Sequence, residues 1–333
     1  MSAKVAPRIN LQERTPLQEV IPLSTPFVLF VDPSSACNFR CRFCPTSSPE
    51  LYSKTRRPTI MRFSLFEKIV ETLKDFPTPL KVLRLYKDGE PFLNPRLPEM
   101  IALARSAGIA HSIDTTTNGS LLTPDRALAA IEAGLDRINI SLDGLSDDDF
   151  LRFTGTAVSF DQLVRNITEI YKYRGTCTIF IKAVDELLDE DKKERFMDTF
   201  SPIVDMLHIE HIAPCWPEFD VENRLDVKIT EGIYGQQIQS VDTCPYVFYT
   251  MSVNAEGSVS VCFLDWSHGN LIGDVRNENL QQIWQGELMQ SYRLKMLLGE
   301  RTSIPFCREC KQLSHCLPDN IDPYREEILA RIC

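Results

Sequence analysis

The chain has 333 residues, 43% of them hydrophobic and 25% charged, with a formal net charge of −10. That length supplies one large core, or a barrel-sized domain with a small companion. No run approaches the roughly 18 apolar residues of a membrane span, and the acidic balance argues against broad binding to nucleic acid.

Residues 1–24 are polar and carry three prolines; they read as an extension that packs loosely or covers an edge, with no apolar signal-peptide stretch, as in a cytoplasmic protein. A strand–helix alternation follows. PFVLFVD (26–32) reads as a buried strand ahead of a cysteine loop, and Ser64-Leu65-Phe66-Glu67 as a capping box opening a helix. KVLRLY (81–86) is a strand, and LPEMIALARSAG a helix ended by Gly108. HSIDTT (111–116) is a strand, and Thr123-Pro124 opens the next helix. RINISL (137–142) is a strand, Ser159 caps DQLVRNITEIYKY, and CTIFIKAV (177–184) is a strand. The helix DKKERFMDTFSPI and the strand MLHIEHI (206–212) complete the run. Beyond about residue 225 the pattern changes. YVFYTMSVNAEGSVSVCFLD reads as two strands joined at Ala255-Glu256-Gly257, and the helix ENLQQIW and a cysteine-rich tail follow.

Six strands alternating with helices imply a parallel sheet with helical crossovers, either flat and doubly wound or curved. The unusual residues follow the ends of the first four strands, where barrels carry their chemistry. The expected fold is therefore α/β, a partial (β/α)6 TIM-type barrel over 25–225, with a small C-terminal β-hairpin/helix domain over 226–333.

Eleven cysteines in such a chain point to metal or redox chemistry rather than disulfides. Cys37, Cys41 and Cys44 stand at C-x3-C-x2-C spacing, while Cys244, Cys262, Cys307, Cys310, Cys316 and Cys333 fall in the last hundred residues. A cube of four irons takes four thiolates, so a triad leaves one iron open. A zinc site would need a fourth nearby ligand, and the next histidine is His111.

C-x3-C-x2-C after a strand of a β/α domain resembles the signature of the radical S-adenosylmethionine (SAM) superfamily. The resemblance implies that SAM closes the open iron of a [4Fe–4S] cluster and that the pair generates a 5′-deoxyadenosyl radical. Gly89-Glu90-Pro91 matches the family's GEP stretch, with Glu90 on the SAM ammonium. Thr117-Asn118-Gly119 and Ser141-Leu142-Asp143-Gly144 are similar to its TNG and SLDG elements, and Phe43 to its aromatic position by the adenine. Arg152 matches a basic position, and Lys182, a charge in an apolar strand, is placed to reach the SAM carboxylate.

The C-terminal set, Cys244, Cys262, Cys307-x2-Cys310-x5-Cys316, resembles the SPASM/twitch extension, which binds auxiliary iron–sulfur clusters. A further cysteine of the full pattern is replaced by Asn320. Two ligand sets remain: Cys244, Cys262, Cys307 and Cys310, with Cys316 a fifth candidate, or Cys307, Cys310, Cys316 and Cys333.

The resemblance implies hydrogen abstraction from a small substrate, a sugar or aminocyclitol. Oxidation at a C–OH carbon would use the auxiliary [4Fe–4S] cluster as electron acceptor; epimerisation would use Cys215, in APCWPEF past the sixth strand, as hydrogen donor. The alternative is a peptide maturase. Flavodoxin or ferredoxin would be the electron donor, docking near Arg40, Arg42, Lys54, Arg56 and Arg57. His211 is an acid/base candidate, and Cys177 reads as a strand residue.

Overall fold

The computed structural model describes residues 2–11, 13–51, 58–316 and 319–332; Lys54, Arg56, Arg57 and Cys333 lie outside the described residues. The chain opens with β1 (Lys4–Val5). Six strands then lie side by side and parallel, in chain order: β2 (Val28–Val31), β3 (Leu80–Leu85), β4 (Ala110–Thr117), β5 (Arg137–Leu142), β6 (Thr178–Val184) and β7 (Met206–Glu210). A doubly wound sheet reverses its strand order midway; this one does not. Right-handed crossovers between successive neighbours put every connecting helix on one face, and the other face becomes the inside of a partial barrel.

The period-two alternation of strands separates the two faces. Leu83 and Leu85 of β3, Ile113 of β4, Ile138 and Ile140 of β5, and Ile179 and Ile181 of β6 are fully buried and build the core. Each such side chain contributes roughly 1.5–3 kcal/mol by burial. The helix Phe63–Leu73 answers with Phe66, Ile69, Val70 and Leu73, spaced along one face. The intervening strand residues, among them Arg84, Asp114, Arg137 and Lys182, line an internal cavity.

The sheet is not closed. β1 adds to the outer edge of β7, in parallel, so the N-terminal extension does cover an edge. At the other edge β8 (Thr250–Val253) pairs in parallel with β2, and β9 (Ser258–Ser260) and β10 (Leu271–Asp274) follow antiparallel. The C-terminal hairpin therefore continues the main sheet. Its turn uses Gly257 at φ 107°, in the region that favours glycine.

Most helix boundaries match expectation: Thr123 and Ser159 cap their helices, and Gly108 ends its own at φ 64°. Two readings are corrected. Ser64 does not cap, because the helix starts at Phe63 after Arg62. A bridge from Ile60 to Ser34 and the bond from Met61 N–H to Pro33 O at 2.9 Å tether the chain just ahead and bring the start forward. Tyr246–Tyr249 is a helical turn and not the start of the hairpin strand. Pro245, at φ −74° and ψ −23°, is preset for a helix start. Among the described residues no helix is long and apolar enough to cross a membrane.

Candidate active site between two cysteine sets

The loop after β2 carries Cys37, Cys41 and Cys44. Arg40 N–H donates to Thr154 O at 2.8 Å and Arg42 N–H to Phe153 O at 2.9 Å, anchoring the loop to the end of the helix Asp147–Thr154. Thr156 Oγ1 donates to Asn38 O at 3.0 Å. The two arginine side chains also brace backbone: Arg40 on Cys37 O at 2.6 Å, Arg42 on Arg224 O at 3.0 Å.

Gly89 comes so close to this loop that an added Cβ would stand 2.2 Å from Ala36 O and 2.3 Å from Ser34 O. Next to it Glu90 is buried and ties its own turn to the end of β4. It accepts from Phe92 N–H at 3.0 Å, Thr117 Oγ1 at 2.7 Å and Asn118 N–H at 2.8 Å. Pro91 opens the short turn that supplies Phe92. Asn118 in turn reaches Asn38 Oδ1 at 3.0 Å and lies 3.9 Å from Cys37 Sγ. Cys41 Sγ donates to Asp143 at 3.1 Å, and burial pushes that carboxyl up to about 6. Ser141 lies beside Lys182 in the β5–β6 register.

Every pair within the triad interacts electrostatically, and burial is the largest cause of all three raised thiol pKa values, to about 12 for Cys37. Such thiols become thiolates only when a metal takes up the charge. Among the described residues, no three His, Cys, Asp or Glu side chains converge closely enough to hold a single ion. The donor set, three thiols, is one that an iron–sulfur cluster takes.

The second set behaves the same way. Every pair among Cys244, Cys262, Cys307 and Cys310 interacts, and burial is again the largest cause of their raised pKa values. Arg301 donates to Cys307 O at 2.6 Å and clamps this loop. Cys316 stands apart: its interactions run to Cys310, Cys215 and Glu210, and it faces the cavity.

Between the two sets lies a cavity of about 720 Å³. Phe43, Lys182, Cys215, Tyr246 and Cys316 are on its wall. Cys215 interacts electrostatically with both Cys44 and Cys310, and burial pushes its pKa well up. Lys182 Nζ donates to Glu210 Oε2 at 2.6 Å. His211, also on the wall, has Nδ1 3.3 Å from Glu186 and Nε2 3.6 Å from Glu231. Arg152 is outside this assembly; it is exposed and stacks over Phe153. Cys177 is buried just ahead of β6.

Sequence reasoning missed the charged floor made by Arg8, Arg84, Asp114 and Arg137. The signal that marked Lys182, a charge within an apolar strand, was present in KVLRLY and HSIDTT as well.

Residues 31–196 match the family described as the radical SAM superfamily, and residues 244–311 match SPASM, an iron–sulfur cluster-binding domain. A GTP 3′,8-cyclase of Chlorobaculum tepidum is 32% identical over 178 residues, 50% of this chain and 51% of that protein. A cyclase of Nostoc punctiforme is 35% identical over 119 residues, 36% of this chain and 35% of that protein. The chain thus spans about half, or less, of the length of these curated relatives. The crystal structure of BtrN in complex with AdoMet and 2-DOIA shares the fold, with TM-score 0.57 and 19% identity over 89% of this chain and 97% of that one. So does Streptococcus suis SuiB bound to precursor peptide SuiA, with TM-score 0.59 and 15% identity over 90% and 73%.

Proposed function

The chain belongs to the radical SAM superfamily and carries a C-terminal SPASM-type iron–sulfur domain, and on that premise we propose that it removes a hydrogen atom from a small hydroxylated substrate, sugar- or aminocyclitol-like, bound between the two cysteine sets. The family implies SAM, a [4Fe–4S] cluster and auxiliary iron–sulfur centres. When bound, the first cluster and SAM supply the hydrogen-abstracting 5′-deoxyadenosyl radical, and the auxiliary centre supplies an outer-sphere electron acceptor.

The residues divide the work as follows. Cys37, Cys41 and Cys44 would hold the open cluster, and Cys244, Cys262, Cys307 and Cys310 the closed one. Gly89, Glu90, Pro91, Thr117 and Asn118 fix the loops around the first site through the bonds of Glu90. Phe43, Ser141 and Asp143 border the SAM end. Lys182 and Glu210 form a polar pair on the cavity wall, suited to hydroxyl groups. His211 is placed to take the hydroxyl proton as a C–OH carbon is oxidised.

The observation that carries this reading is the position of the cavity, with Cys215 on its wall interacting with both Cys44 and Cys310. The same observation supports a second outcome. The Cys215 thiol would return a hydrogen atom to the opposite face of the substrate carbon, inverting it. The sulfur radical left behind would take one electron from a flavodoxin- or ferredoxin-type reductant and a proton from solvent.

The test is anaerobic incubation of the reconstituted chain with SAM, reductant and a panel of sugars and aminocyclitols. A carbonyl product with equimolar 5′-deoxyadenosine supports oxidation. An isomer carrying solvent deuterium, lost in Cys215→Ala, supports inversion. A cyclised product from GTP, the reaction in the relatives' name, or modification of a precursor peptide with no sugar product, overturns the reading.

A further inference from the structure

The floor of the cavity carries more positive charge than its own partners neutralise. Arg84 on β3, Asp114 on β4 and Arg137 on β5 occupy one line across the sheet, paired residue to residue in the register. The N-terminal extension leaves β7 after Val5 and lays Arg8 over this line, where Arg137 Nη1 donates to Arg8 O at 3.1 Å. Three guanidinium groups thus share a single floor carboxylate, and its nearest ion pair is long, Arg84 Nε to Asp114 Oδ2 at 3.7 Å. The other nearby carboxylate, Glu210, is engaged by Lys182.

The hydrogen-bond inventory is also incomplete. Arg8 Nε, Arg84 Nε, and Arg137 Nε and Nη2 are buried donors that make no hydrogen bond among the described residues. The Tyr86 hydroxyl accepts from Arg8 Nη1 at 3.1 Å and from Arg84 Nη1 at 2.9 Å, which leaves its own proton to donate. Buried donors left unmade are costly, and guanidinium forks match oxyanions better than any other side chain.

We propose that Arg8, Arg84, Arg137 and the Tyr86 hydroxyl form a subsite for a phosphate group carried by the substrate. The surplus of two positive charges over Asp114 matches a phosphate monoester, of charge about −1.5 to −2 near neutrality, better than a single carboxylate. The subsite runs obliquely across the strands: Arg137 opens β5, whereas Arg84 is the penultimate residue of β3 and Tyr86 follows that strand. This subsite rests on the reading of the cavity as the substrate site.

Calorimetric titration of the reconstituted full chain with inorganic phosphate, and separately with acetate, tests it without turnover. Saturable phosphate binding, about tenfold tighter than acetate, is expected. Arg137→Gln should weaken phosphate by tenfold or more, and Tyr86→Phe by several-fold. If Arg137→Gln fails to fold, Tyr86→Phe decides. No saturable phosphate binding, unchanged affinity in the folded variants, or equal binding of acetate and phosphate would each overturn the subsite. Phosphate binding with no hydrogen abstraction from any hydroxylated compound would leave the subsite standing and remove the functional reading. Turnover of an uncharged sugar without phosphate binding would do the reverse.

Discussion

Lys182 Nζ and Glu210 Oε2 meet at 2.6 Å across neighbouring strands β6 and β7, on the wall of the cavity between the two cysteine sets. Burial alone would raise the Glu210 pKa, but Lys182 and Arg8 outweigh it and hold the carboxylate below its ordinary range. Each partner removed singly leaves the other charge unmatched inside the protein. Lys182→Met and Glu210→Gln should each cost about 2 kcal/mol in urea unfolding. The double variant should cost clearly less than the sum of the two. Strict additivity would show that the pair does not couple.

The close approach at Gly89 gives a second expectation. A Cβ there meets two backbone carbonyl oxygens, neither of which can rotate away as a side chain would. Gly89→Ala should destabilise the chain by about 2–3 kcal/mol and lower the iron bound at the first cysteine triad. A variant with unchanged stability and iron content would contradict the contact.

Asp149 gives a pH signature away from the cysteines. It accepts from Lys192 Nζ at 2.7 Å and Leu145 N–H at 3.1 Å. Burial pushes its pKa up, yet these bonds prevail and lower it. With the folded pKa below the unfolded value, its stabilisation is present above the unfolded pKa and lost as pH falls through the folded one. Asp149→Asn should therefore cost about 1–2 kcal/mol at pH 7, and the gap from wild type should close in acid. A gap that persists below pH 3 in urea titrations would point to packing instead.

The place of Cys316 separates ligand from lining residue. Of the second set only Cys310 is among the largest influences on it, beside Glu210, Lys182 and Arg8, and it faces the cavity. Cys316→Ser should retain the iron of the wild type, whereas Cys262→Ser should lose the auxiliary iron. Equal losses in iron and sulfide assays would restore Cys316 as a ligand.

The outward faces of the strands were legible in the sequence because Val, Ile and Leu repeat with period two and the caps are local. The cysteine triad, the GEP stretch and the TNG element were legible because their chemistry is carried within a few residues. Arg8 was not, since its place depends on the path of the extension along β7, a contact with residues some two hundred positions away. Arg84, Asp114 and Arg137 looked like isolated charges until the strand register aligned them. Ser64 misled for the same reason in reverse: its local capping pattern lost to a tether at Pro33.

One open and one closed cluster site underlie the chemistry proposed for this chain. Iron analysis combined with electron paramagnetic resonance of the reduced protein tests this arrangement most directly. Wild type should bind about eight irons, and both the variant lacking Cys37, Cys41 and Cys44 and the variant lacking Cys244 and Cys307 about four. SAM should alter the spectrum of the second variant and leave that of the first unchanged. About four irons in wild type, or a SAM response that survives loss of the triad, would contradict it.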